Sequence, residues 1–161
     1  MKKIILVCII AVITVFCTSC SENIKIPSVN TAVEENAVVT VGEKEYKCHI
    51  SYVNDVTSSV AFSSPESLKN MTFRKNSDGF SVSLGTLICK SESFDFSESC
   101  VFVQIMNALS AVKQENVKFM SKQNDKYMFS LKDNPVCKFF TDADGNITSF
   151  SGKNIKIAFD G

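Results

Sequence analysis

From Tyr46 onward, apolar and polar residues alternate. Tyr46, Cys48, Ile50 and Tyr52 are separated by Lys47, His49 and Ser51, the period of a strand with one dry and one wet face. Val60 and Phe62 continue it. Ser64-Pro65-Glu66-Ser67-Leu68 then predicts one short helical turn, with Pro at its first position and an early acid, and Met71 and Phe73 open another strand. Asp78-Gly79 predicts a hairpin, because the pair tolerates the positive φ of a tight turn. Phe80, Val82 and Leu84 form its return strand, and residues 87–90 form one more after Gly85. Five or six strands therefore precede Ser91. The period then changes once: Val101, Phe102, Ile105, Met106, Leu109 and Val112 recur at helical spacing, which predicts an amphipathic helix over about 97–114. Asp95 or Ser97 can cap it, and Lys113 suits the negative end of its dipole. Period two resumes with Val117 and Phe119 and, after an Asn124-Asp125 turn, with Tyr127, Phe129 and Leu131. The stretch 136–140 is apolar on both faces and predicts a strand covered on both sides. Asp144-Gly145 and Gly152 bound two last strands, over 147–150 and 155–159.

Nine to eleven antiparallel strands are too many to stay flat, so the sheet should curl into a barrel or half-barrel. The fold class is mainly β, and the lone helix must pack into the concavity with Val101, Ile105, Met106 and Leu109 facing the sheet. The two meanders on either side of it share a layout without a sequence repeat.

The first 20 residues follow another rule. Lys2 and Lys3 are followed by a run from Ile4 to Cys17 in which Thr14 alone is polar, the make-up of a signal-peptide core and shorter than the ~20 apolar residues of a membrane span. Thr18-Ser19-Cys20 places small residues before a cysteine and resembles the lipobox of bacterial lipoproteins. There the cysteine is diacylated and becomes the mature N-terminus. The usual Leu is here Cys17; modification at Cys17 itself would leave bulky Phe16 beside the cut. The resemblance implies a signal peptide over 1–19, lipidation at Cys20 and anchoring on the extracytoplasmic face of a cell membrane. An ordinary cleaved signal and an uncleaved anchor are the other readings. Residues 20–35 contain Pro27 and no aromatic and read as a tether, with the folded domain over 36–161.

Charge and chemistry narrow the function mainly by exclusion. Seventeen Lys+Arg balance 17 Asp+Glu, and two of the lysines belong to the leader, so no basic footprint for nucleic acid exists. His49 is the only histidine, which excludes two-histidine metal sites and HExxH chemistry. GxSxG, GxxxxGK[ST] and GxGxxG do not occur. Asp142-Ala143-Asp144-Gly145 opens like a calcium loop, but Lys153 stands where the bidentate Glu belongs, so a plain hairpin turn is the better reading. Beyond Cys20 the cysteines are Cys48, Cys89, Cys100 and Cys137, read as free and buried rather than as two disulfides. Alternation puts His49 on the face opposite Cys48, so the two cannot form a nucleophile–base pair. No cofactor and no enzyme activity are expected.

At this point a second resemblance enters. The stretch Val60-Ala61-Phe62-Ser63-Ser64-Pro65-Glu66-Ser67-Leu68, with Met71-Thr72-Phe73, Asp78-Gly79-Phe80 and later Asp144-Gly145-Asn146-Ile147, resembles the lipoprotein-localisation-factor superfamily. These LolA/LolB-like half-barrels carry lipoproteins or lipids between membranes. The lid-holding Arg of the periplasmic carriers has no counterpart, since Arg74 is the only arginine. Twelve of 13 phenylalanines lie beyond Cys20, which fits either a Phe-rich core or an apolar pocket. For a lipid or acyl chain the expected wall is Phe62, Phe73, Phe80, Val82, Phe129 and Phe140, closed by Phe102 and Met106 of the helix. The alternative is an interaction lipoprotein with a filled core that works through its surface on an envelope protein. A void of about 300 Å³ beneath the helix separates the two readings.

Overall fold

In the computed structural model, which describes residues 24–92 and 96–160, the first meander is β1 (Val33–Val41), β2 (Lys44–Tyr52), β3 (Ser58–Ser64), β4 (Met71–Asn76), β5 (Gly79–Leu84) and β6 (Leu87–Ser91). One α-helix follows among the described residues, α1 (Val101–Ser110). The second meander is β7 (Val117–Gln123), β8 (Lys126–Leu131), β9 (Lys138–Thr141), β10 (Ile147–Ser151) and β11 (Ile155–Phe159). All strand pairs are antiparallel, and β1 pairs with β11, so the two meanders fuse into one open curved sheet with β6 and β7 at its edges. The helix lies in the connection between those two edges and packs over β11.

The register shows why the core forms on one face. Phe119, Phe129, Phe139, Phe150, Ile157, Val39 and Tyr46 are successive cross-strand partners from β7 to β2. They make one inward row across the seam. A second row, Ile50, Val60, Phe73, Val82 and Cys89, crosses β2 to β6. Cross-strand aromatic and β-branched pairs of this kind are the units of sheet stability. Phe102 of α1 is fully buried and stacks on Phe73, with centroids 5.3 Å apart and planes at 18°, while Phe129 stacks on Phe139 at 5.2 Å.

Several expectations are corrected. The helix is shorter than 97–114. The Ser97 and Ser99 hydroxyls pair at 2.8 Å and the Cys100 N–H donates to Ser97 O, which holds a turn where the first helical residues were expected. Its N-terminal flank, Cys100, makes no side-chain cap, and Asp95 lies outside the described residues. The buried stripe is Phe102, Ile105, Ala108 and Leu109 with Val112, and Val101 and Met106 sit half-buried on its flank. The stretch 136–140 is not covered on both sides. Cys137 N–H donates to Asn134 O in a turn that leaves Val136 67% exposed, and β9 starts only at Lys138. The turn of the β4–β5 hairpin is Ser77-Asp78, with Asn76 Oδ1 accepting from Asp78 N–H.

Order also starts before Asn36. Val29 is buried, its N–H donates to Gln114 Oε1 (3.1 Å), and Asn30 bridges to Asn146, its N–H donating to Gly145 O at 2.8 Å. Residues 29–35 therefore belong to the domain rather than to a tether. Cys20 and the apolar leader lie outside the described residues. None of the described helices is long and apolar enough to cross a membrane.

Candidate functional site

Among the described residues, the eight expected wall residues are not gathered around one pocket: Phe80 borders a recess of about 380 Å³ with Asn76, Ser81, Lys90 and Glu92, and Phe62 borders another on β3. Phe62, Phe73, Phe80, Phe102 and Phe129 are buried in the shared core, and Val82 and Met106 are half-buried against it. Phe73 touches the rings of Phe62, Phe80, Phe96 and Phe102. The first meander's side of the concavity is thus filled by aromatic packing. Phe140 departs from the expectation altogether. Its neighbours Phe139 and Thr141 are fully buried, so alternation turns Phe140 to the outer, half-buried side.

One open groove lies against the helix itself. A groove of about 340 Å³ runs between α1 and the ends of β8 to β11. Its apolar floor is Ala108, Ala111, Leu131, Cys137, Phe150 and Ile155, and its rim is Gln104, Asn107, Asn116, Asp133, Asn134 and Lys153. The helix makes the groove by being thin there. Gln104, Asn107, Ala108 and Ala111 fall at spacings of three, one and three, one stripe in which the two alanines leave room that Phe or Leu would fill. Asn116 Nδ2 donates to Ala111 O at 3.3 Å and Lys132 N–H donates to Asn116 O at 2.8 Å, which ties the chain after the helix to the β8–β9 connection and fixes that wall. Burial raises the Cys137 thiol, partly offset by a backbone hydrogen bond from Lys153, so it stays protonated at neutral pH and serves the floor as an apolar side chain.

A polar cluster also holds the segment that follows the helix. Tyr52 Oη donates to Asp55 Oδ1 at 2.7 Å, and Lys113 Nζ lies 3.2 Å from Asp55 Oδ2. The Tyr52 hydroxyl, with Lys113 and Lys75 behind it, holds the Asp55 carboxyl below the usual range against some burial. Burial and the adjacent Asp55 push the Tyr52 hydroxyl up.

The other chemical candidates resolve into structure. Burial pushes the Cys48 thiol up to about 12, and His49 on the opposite face pairs with Asn36 Oδ1 at 3.2 Å. Cys48, Cys89, Cys100 and Cys137 are all free. Cys48 and Cys137 are buried as expected, but Cys89 is exposed and Cys100 half-buried. The Asp142 carboxylate accepts from Asp144 N–H, Asn146 N–H and Asn146 Nδ2 at 2.9–3.0 Å. Burial opposes ionisation there, but these hydrogen bonds prevail and hold its carboxyl below the usual range; its oxygens are occupied by the turn. A wider recess of about 620 Å³ on the outward side of β1 to β4 has a polar border that includes Lys47, His49 and Asp160.

No family model matches the sequence, and no curated protein matches it. Among solved structures the chain is similar to a LolA superfamily protein from Nitrosomonas europaea, with a TM-score of 0.42 and 9% identity over 86% of this chain and 87% of that one.

Proposed function

We propose that this protein is a membrane-anchored, non-catalytic binding module that takes an acyl chain or similar apolar ligand in the groove between α1 and the second meander. The observation that carries this is the groove itself: about 340 Å³, with an apolar floor and a rim of amide and charged side chains. That volume and division of labour belong to small-molecule sites, in which apolar walls supply affinity and a few polar groups fix orientation. The groove is open to solvent rather than enclosed, which suits a chain that enters sideways rather than a compact ligand.

Anchoring rests on the sequence. A basic start, an apolar core and Thr18-Ser19-Cys20 place acylation at Cys20 and the domain outside the cytoplasm. Each buried methylene of the anchor contributes about 0.8 kcal/mol, so two or more acyl chains hold the domain at the bilayer. Native mass spectrometry of the domain from residue 21, purified from bacterial membranes, tests the binding reading. A co-purifying mass in the lipid range that is lost in the Ala108→Trp variant supports it, and a bare polypeptide mass in the wild type overturns it.

A second reading, an interaction lipoprotein acting on an envelope partner, is favoured by one observation. Among the described residues, the aromatic half of the concavity is packed around the Phe73–Phe102 stack.

A further inference from the structure

The two edges of the sheet are built differently. An exposed edge strand is a template for pairing, and proteins guard such edges with lysines and bulges. The β7 edge has both: Lys118 and Lys122, and a register shift between Phe119 and Ser121. The β6 edge has five regular pairs with β5 and no bulge, and its apolar residues on both faces are open, Leu87 at 71% and Ile88 at 62% exposure. From Gly79 to Ser91 the hairpin carries one charged residue, Lys90. Among the described residues no strand lies beyond β6.

We propose that β6 pairs with β6 of a second copy of this chain, antiparallel and across a two-fold axis at Cys89. The register follows from the hairpin. Leu84 and Leu87 flank the two-residue Gly85-Thr86 turn, so they form a hydrogen-bonded pair, and the backbone groups of Ile88 and Lys90 point away from β5. Pairing through these outward groups allows three two-fold registers. Centred on Lys90, it opposes like charges directly, which is destabilising. Centred on Ile88, it shortens the overlap. Centred on Cys89, it matches all of β6 with itself: Ile88 faces the partner's Lys90, whose apolar stem can cover it, and Leu87 faces the partner's Ser91. The two Cys89 residues then form a non-hydrogen-bonded pair with Cα atoms about 4.5 Å apart, within disulfide reach. Five residue pairs make a small interface, so association is weak and grows with concentration.

Oxidative cross-linking of the full-length chain in membranes tests this. With copper phenanthroline as oxidant, two Cys89 thiols give up two electrons to Cu(II) and two protons to solvent as the S–S bond forms. A dimer on non-reducing gels that is lost in Cys89→Ala and kept in Cys100→Ala is the expected result. Two further variants test the register. Ile88→Glu faces the partner's Lys90 and should raise the initial cross-linking rate about two- to threefold, whereas Ile88→Lys should lower it by a similar factor. Absence of a Cys89-dependent dimer overturns the proposal. Equal rates in the two Ile88 variants do the same, because chance collision, or a different protein seated on the edge, would not sense this pairing.

Discussion

The Asp55 carboxylate joins the β2–β3 connection to the end of the helix segment through Tyr52 and Lys113. Its carboxyl titrates below the ordinary range, so the linkage is fully present above the unfolded value of about 3.9 and is lost as pH falls through the lower folded value. The pair is about half exposed, and solvent screening keeps its worth near 0.5–1 kcal/mol. Asp55→Asn should lose that much in urea denaturation at pH 7, and the gap to wild type should close as pH falls below the ordinary carboxylate range. Phe102 and Phe140 make a second contrast. Phe102→Ala removes a fully buried ring and should cost about 3–5 kcal/mol, whereas Phe140→Ala, on the outer side, should cost about 1 kcal/mol. Sequence alone ranked the two alike. Where both faces of a stretch are apolar, alternation cannot say which is inside; the partners decide it, here Phe129 and Phe150 on either side of Phe139.

Elements were legible where one period held without competition. The single switch from period two to helical spacing located α1, and Asp-Gly and Asn-Asp signals located hairpins near Gly79, Asn124 and Gly145. The helix ends were not legible, because local Ser and Asn hydrogen bonds set them. Nor was the docking of residues 29–32, which depends on the distant β9–β10 turn. Gly145 has φ +88°, and a Cβ there would lie 1.9 Å from Ser28 O. Gly145→Ala should therefore detach this segment while the sheet persists. Amide hydrogen exchange should show faster exchange at Val29 and Asn30 with unchanged protection in β2 and β3; unchanged exchange at Asn30 would mean that the segment does not depend on the turn.

At the scale of the whole molecule, the half-barrel and its helix were readable from the sequence and the groove was not. A filled core and a lipid wall use the same residues, so the phenylalanine excess pointed to the place where Phe73 stacks on Phe102. The groove's signal is weaker: two alanines beside Gln104 and Asn107 on the helix. At the anchor, intact-mass analysis of the membrane-extracted protein should show loss of residues 1–19 and added lipid on Cys20; a Cys20→Ala form that is still processed and membrane-bound would contradict that. The most direct test of the binding account is displacement of a fluorescent fatty acid from the domain from residue 21, compared with its Ala108→Trp and Phe73→Leu variants. The account predicts saturable binding in the wild type, at least ~tenfold weaker binding in Ala108→Trp measured well below its Tm, and retained binding with a lowered Tm in Phe73→Leu. Wild-type protein that does not bind the probe, or binding lost through Phe73→Leu and kept through Ala108→Trp, would contradict it.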